Sequence, residues 1–126
     1  MRDAIFTSAA PRAIGPYSHA VRAVQFLFIS GQIAIDPATG DLVNGDVAAQ
    51  TRRVLLNLGE ILGAAGASFD HVVRTTVFLA SMDDFAAMNE VYGGFFSTPG
   101  PARSTLEAPR LPKNARLEID VIAHLP

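Results

Sequence analysis

Two periodicities mark out most of the elements in this chain. From Asp46 to Ala65 the apolar residues recur at helical spacing. Val47, Thr51, Val54, Leu55, Leu58, Ile61, Leu62 and Ala65 share one stripe, and Arg52, Arg53 and Glu60 lie off it. Asp46 suits the N-cap, and Gly66 suits the position just past the end. A second helix starts at Ser81 or Asp83 and ends near Phe96, with Phe85, Met88, Tyr92, Phe95 and Phe96 as its stripe. Elsewhere the period is two. From Arg116 to His124, Leu117, Ile119, Val121 and Ala123 face one way, and Arg116, Glu118 and Asp120 the other. Arg103 to Glu107 is a shorter strand with Arg103, Thr105 and Glu107 on one face. Phe26 to Ile35 reads as a buried strand with Leu27, Ile29, Gly31, Ile33 and Ile35 on one side. His71 to Leu79 is a β-branched and aromatic strand, and His19 to Val24 a weak one. Residues 1–18 read as an arm, because Pro11 and Pro16 push the residues before them out of the helical region.

The order is therefore β-β-α-β-α-β-β, with hairpins at both ends. That is an α+β domain spanning 1–126, its two helices packed on one face of a sheet. The other sheet face still carries apolar side chains, and no third helix exists to cover it. Charged residues make up 17% of the chain, below the about 25% usual for soluble domains. Both observations predict self-association, with a second copy closing the bare face and the sheet edges.

The balance of charge narrows the partners. A formal net charge of −2 and a single lysine, Lys113, give no basic footprint for nucleic acid. The absence of cysteine removes disulfides, a thiolate nucleophile and thiolate metal ligands. The longest apolar stretch, Phe26 to Ile35, is interrupted by Ser30, Gly31 and Gln32, so no membrane span is expected. Arg2 is not followed by an apolar secretory segment, and the cytoplasm is the expected compartment.

Candidate chemistry sits on a few polar residues. Arg103, at a strand start, is either a bidentate clamp on a carboxylate or phosphate, or half of an ion pair with Glu107 or another acid. Glu118 and Asp120 share a strand face about 6.5 Å apart, which serves acid–base work or simply faces water. Tyr17 offers a phenol or a plug with a wet tip. Asn89 lies on the apolar stripe of the second helix, where a polar group needs a partner. Ser30-Gly31 offers a hydroxyl and a bare backbone for close approach, or a β-bulge. His19, His71 and His124 show no metal-ligand spacing, and no nucleophile elbow or phosphate loop is present. Lys113 lies in a turn, a poor place for a desolvated Schiff-base lysine. The residues alone define a metal-free, cofactor-free site for a small carboxylate and name no reaction.

Taken together, the segments resemble the Rid family (YjgF-like proteins) nearly end to end. The stretches that carry the resemblance are Ala13 to Ser18 (AIGPYS), Phe28 to Gln32 (FISGQ), Gly45 to Gln50 (GDVAAQ), Val77 to Asn89 (VFLASMDDFAAMN), Pro101 to Thr105 (PARST) and Arg110 to Ala123. The resemblance implies a fold like chorismate mutase of the AroH kind and a homotrimer whose sheets form a central barrel, with sites between subunits. It also implies hydrolysis of 2-iminobutanoate and 2-iminopropanoate, and of their enamine tautomers, to 2-oxo acids and ammonia. Arg103 matches the arginine that grips the substrate carboxylate, and Glu118 the glutamate that activates water. Tyr17 matches the tyrosine at the pocket mouth, Ser30 and Gly31 the lining strand, and Asn89 a pocket amide. Thr105 stands where many members have cysteine, so a thiol role is lost while its backbone N–H stays available. Val24-Gln25 replaces a Gly-Asp turn common in the family. The competing readings are a non-catalytic small-ligand binder or holdase, and a ribonuclease, an activity also ascribed to this family.

Overall fold

Asp46 opens the longest helix because its carboxylate accepts the Ala49 amide at 2.9 Å. In the computed structural model, which describes residues 2–126, that helix, α1, runs over Val47–Ala64. Gly66, at φ +77°, turns the chain out of it, a conformation that only glycine adopts cheaply. The predicted stripe is the buried one: Val54, Leu55, Leu58, Ile61 and Leu62 are fully enclosed. The second helix, α2, spans only Phe85–Gly93. Ser81 caps a short 3-10 turn at Met82–Asp84 instead of the helix itself, and Gly93-Gly94 ends it. Phe95 and Phe96 therefore lie beyond α2, in an aromatic cluster with Phe69 and Tyr92.

Six strands form one mixed sheet: β1 (Asp3–Ile5), β2 (Ala20–Ala23), β3 (Phe26–Gln32), β4 (Val72–Leu79), β5 (Ala102–Glu107) and β6 (Leu117–His124). Their order across the sheet is β1-β2-β3-β6-β4-β5. Three expectations are corrected. The N-terminal arm contributes a strand, β1, which pairs with β2. The C-terminal pair is no hairpin: β5 lies parallel to β4 at the edge, and β6 inserts antiparallel between β3 and β4. The chain from Ala108 to Arg116 must therefore pass β4, which two prolines and a 3-10 turn at Pro112–Asn114 allow. Finally, β3 stops at Gln32 and bulges between Ile29 and Gln32. The bulge turns Gly31 onto the face opposite Leu27 and Ile29, which is not where strict alternation puts it.

The two faces differ. Leu27, Ile29, Val77, Leu79, Leu117, Ile119 and Val121 meet α1 and α2 in one dry core. A fully buried leucine there contributes about 1.5–3 kcal/mol. On the other face Val21, Phe28 and Ile122 line up across three strands, with Phe78 and Glu118 paired further along. Among the described residues no helix or strand covers Val21, Phe28 and Ile122, and Phe26 and Phe28 remain 41% and 46% exposed, whereas Phe78 packs against Ile33, Ile35, Leu111 and Ala115. Among the described residues no helix is long and apolar enough to cross a membrane.

Candidate active site

The sequence-predicted site residues fall into two groups, one on each face of the sheet. The first group gathers where the arm crosses the β3 bulge. His19, buried, fastens the arm at two points. Its Nδ1 accepts the Thr7 amide at 3.2 Å, so Nε2 carries the proton and donates to the Pro11 carbonyl at 2.7 Å. The Ser30 hydroxyl donates to the Ser18 carbonyl at 2.7 Å, and the Ser30 amide to the His19 carbonyl. Between these anchors Tyr17 folds back, its hydroxyl accepting the Ile14 amide at 3.0 Å. Tyr17, Ser30, Gly31 and Glu118 then line one open cavity of about 480 Å³, together with Ile14, Pro112 and Lys113.

Glycine at 31 leaves the space in which the Glu118 side chain lies, and its backbone angle makes no demand for glycine. A Cβ at that position would lie 2.8 Å from the Glu118 carboxyl carbon and closer still to Oε2. The Glu118 side chain lies across that bare backbone. Burial holds its carboxyl above the usual glutamate range, and the nearby Asp120 charge adds to the rise. A carboxyl group in that state is a better proton acceptor than a surface glutamate.

The second group lies on the helix face, at the β5 edge. Thr75 is paired with Arg103 and Val77 with Thr105, so both β5 side chains share the buried face of β4. The Arg103 guanidinium sits 4.8 Å from the Tyr92 ring centroid and 5.7 Å from that of Phe85. These two rings lie one helical turn either side of Asn89 on α2, which aims that amide at the same place. Below, the Tyr92 hydroxyl and Thr75 Oγ1 share a buried hydrogen bond of 2.7 Å. Burial pushes the Tyr92 phenol up, against the opposing pull of Thr75 and Arg103. The anticipated ion pair of Arg103 with Glu107 does not form, because Glu107 caps the Met82 amide instead. Among the described residues the only ion pair joins Arg116 to Asp84. Arg103 is thus a half-buried cation, braced by two rings, with no carboxylate partner. Asn89 Oδ1 and Thr105 Oγ1 are buried beside it without hydrogen-bond partners.

Arg103 and Glu118 cannot share a small ligand within one chain. Two strand spacings and three residues of rise separate their Cα atoms, roughly 14 Å, and their side chains leave opposite faces. The sequence reading missed the rings of Phe85 and Tyr92 as a cradle, since their helical spacing looks like ordinary core. It also missed Lys113, which lines the cavity although it sits in a turn.

The architecture is that of a small α+β protein with two helices on one face of a six-stranded mixed sheet, and a cluster of polar residues on each face. A family model described as Endoribonuclease L-PSP matches residues 7–125, and the chain belongs to that family, which is the Rid family its motifs resemble. It is 53% identical to a RutC family protein of Pyrococcus horikoshii, over 98% of each chain. It is 48% identical to the 2-iminobutanoate/2-iminopropanoate deaminase of Homo sapiens, over 98% of this chain and 90% of that one. Among solved structures it superimposes on the Rid family protein YyfA of Yersinia pestis with a TM-score of 0.96 at 44% identity, covering 99% and 100% of the two chains. TdcF of E. coli with bound serine gives 0.94 at 42%, covering 98% and 99%.

Proposed function

We propose that this chain hydrolyses small 2-imino acids, 2-iminobutanoate and 2-iminopropanoate with their enamine tautomers, to 2-oxo acids and ammonia. The reaction takes place at sites completed between copies of a homotrimer. The human relative carries that activity in its name, and the serine held by TdcF is an amino carboxylate of matching size. One observation carries the reading: Arg103 is braced on two rings with no acid of its own, while Glu118 waits in a separate cavity. A clamp without an anion and a base without a clamp complete each other only across a seam. The bare sheet face supplies the apolar surface for that seam.

In this reading Arg103 of one copy grips the substrate carboxylate in bidentate fashion, flanked by Asn89 and the Thr105 backbone N–H. Glu118 of the next copy, with Tyr17, Ser30 and Gly31, faces the imine carbon. A protonated imine is already electrophilic. Glu118 takes a proton from water as its oxygen bonds to the carbon, and the tetrahedral carbinolamine forms. The proton then passes to nitrogen, the regenerated carboxylate takes the hydroxyl proton as the C–N bond breaks, and ammonia leaves as the carbonyl forms. Proximity and general-base catalysis suffice, and no covalent intermediate with the protein is needed.

The test generates the imine in situ with a threonine dehydratase and traps it with semicarbazide. Added protein diverts imine from the trap to 2-oxo acid. Arg103→Ala and Glu118→Ala each abolish the diversion. Dissociating the two inactive variants and reassembling them together restores about a quarter of the sites, because random cyclic pairing brings an intact Arg103 against an intact Glu118 that often. No restoration sinks the shared site. No diversion by the natural sequence sinks the deaminase, and leaves the ribonuclease or the ligand binder.

A further inference from the structure

Lys113 is the chain's one lysine, and nothing in its turn explains the choice of residue. Its backbone has φ +56°, and that of Asn114 has φ +55°. Two consecutive residues other than glycine in the left-handed region are rare, and a position selected for that backbone alone takes glycine or asparagine. The strained pair is fixed from both sides. Leu111 and Ala115 are buried, the Asn114 amide donates to the Leu111 carbonyl at 3.1 Å, and the Arg116 amide donates to the buried Gln50 Oε1 at 2.9 Å. Strain held this firmly points to a use for the side chain it presents.

Lys113 lines two cavities. One is the 480 Å³ cavity of Tyr17 and Glu118. The other, of about 390 Å³, adjoins it across Ile14 and contains Arg12 but no acid. Lys113 has no carboxylate within ion-pair distance among the described residues. The carboxylate group of a substrate entering the first cavity meets the Glu118 carboxylate, with Asp120 next to it on the same strand face. That repulsion needs an opposing charge on the same side of the seam. The Arg103 clamp belongs to the other side.

Building on the proposed deaminase reading, we infer that Lys113 is a specificity-determining residue, a second cation that draws the carboxylate group of 2-imino and 2-oxo acids toward the Glu118 cavity. Its role is to offset the glutamate's repulsion, so it acts on binding more than on the chemical step.

The test measures calorimetric binding of 2-oxobutanoate and imine turnover for the natural trimer and three variants. Lys113→Gln weakens 2-oxobutanoate binding about three- to tenfold at low salt, as one lost charge at partly solvated range predicts. The deficit shrinks in 1 M salt, where the screening length falls to about 3 Å. KM for the imine rises by a similar factor, and kcat changes little. Lys113→Arg keeps natural affinity. Lys113→Gly shows the same weakened binding together with an unchanged or raised Tm, which separates charge from backbone. Equal affinity of Lys113→Gln and the natural chain at low salt overturns the inference, as does a natural chain that does not bind 2-oxobutanoate. Binding that follows these expectations without turnover of the imine overturns the reaction and leaves the Lys113 anchor standing.

Discussion

The two faces of the sheet are built to different standards of completion. On the helix face every buried polar side chain of the central region has a partner. Thr51 bonds the Val47 carbonyl, Asn57 the Ile35 carbonyl, and Thr75 the Tyr92 hydroxyl. The pattern breaks only at the β5 edge, where Asn89 Oδ1 and Thr105 Oγ1 stand beside an unpaired Arg103. On the open face the incompleteness is general. Phe26 and Phe28 are half exposed, and a carboxyl with a raised pKa lies beside a cavity. The first face holds the chain together. In the proposed trimer the second is covered by another copy, and the unpartnered groups at the β5 edge lie where that copy reaches round.

This contrast can be broken most directly by a pair of substitutions. Leu58→Ala on the helix face costs about 2–5 kcal/mol in denaturant unfolding, through lost burial and the cavity left behind. Phe28→Asp on the open face leaves the secondary structure by circular dichroism intact. It reduces the sedimenting species to a single chain and lowers imine hydrolysis by more than about a hundredfold, since a charge cannot be buried unpaired at the seam. A Phe28→Asp protein that stays assembled and active would falsify the assignment of that face.

Smaller in effect is the cradle of Arg103. Tyr92→Leu removes the ring 4.8 Å from the guanidinium and raises KM about tenfold, as a loosened clamp predicts. Tyr92→Phe keeps the ring and loses the hydroxyl with its bond to Thr75. It costs about 1 kcal/mol of stability with KM nearly unchanged. Equal KM effects of the two variants would mean that the ring is not what holds the arginine.

The gentlest test concerns pH. Burial raises the folded-state pKa of Glu118 above its unfolded value, so between those two values the folded chain binds the extra proton. Stability therefore falls as pH rises through that window, which starts near about 4.3. Glu118→Gln does not titrate, so it is more stable than the natural chain above the window and no more stable below it. Imine hydrolysis runs the other way. In the proposed mechanism it needs the ionised Glu118 carboxylate and so rises with pH through the same range. Thermal melts and initial rates across pH 3 to 8, taken together, check both slopes.

Local signals were enough for much of the architecture. The stripe from Val47 to Leu62 and its two caps placed α1 to within a residue. The alternation from Leu117 to His124 placed β6 and put Glu118 on the face away from the core. What stayed hidden depends on distant partners. Nothing between Ala102 and His124 says that β6 leaves β5 and slots in between β3 and β4, because that choice is made by strands far away in sequence. The arm's Asp3–Ile5 is too short to read as a strand without the β2 edge it joins. The side of the sheet on which Gly31 lies turns on a single bulge, and one inserted residue reverses every later side chain. The candidate residues were legible as types, and the resemblance named their roles. That they divide between two faces was not legible, since pairing register alone decides it.

The central position of β6 has a consequence for how the molecule comes into being. This strand is the last described element in chain order, yet within the sheet it alone joins the β1-β2-β3 ribbon to the β4-β5 pair. During synthesis the earlier pieces emerge as two fragments with their hydrogen-bonding edges facing an empty slot. Only when residues 117–124 are free can the slot fill and α1 seat over a continuous floor. Such long-range closure makes for slow folding, and the exposed edges waiting on either side of the gap are the points at which nascent chains are most open to pairing with one another.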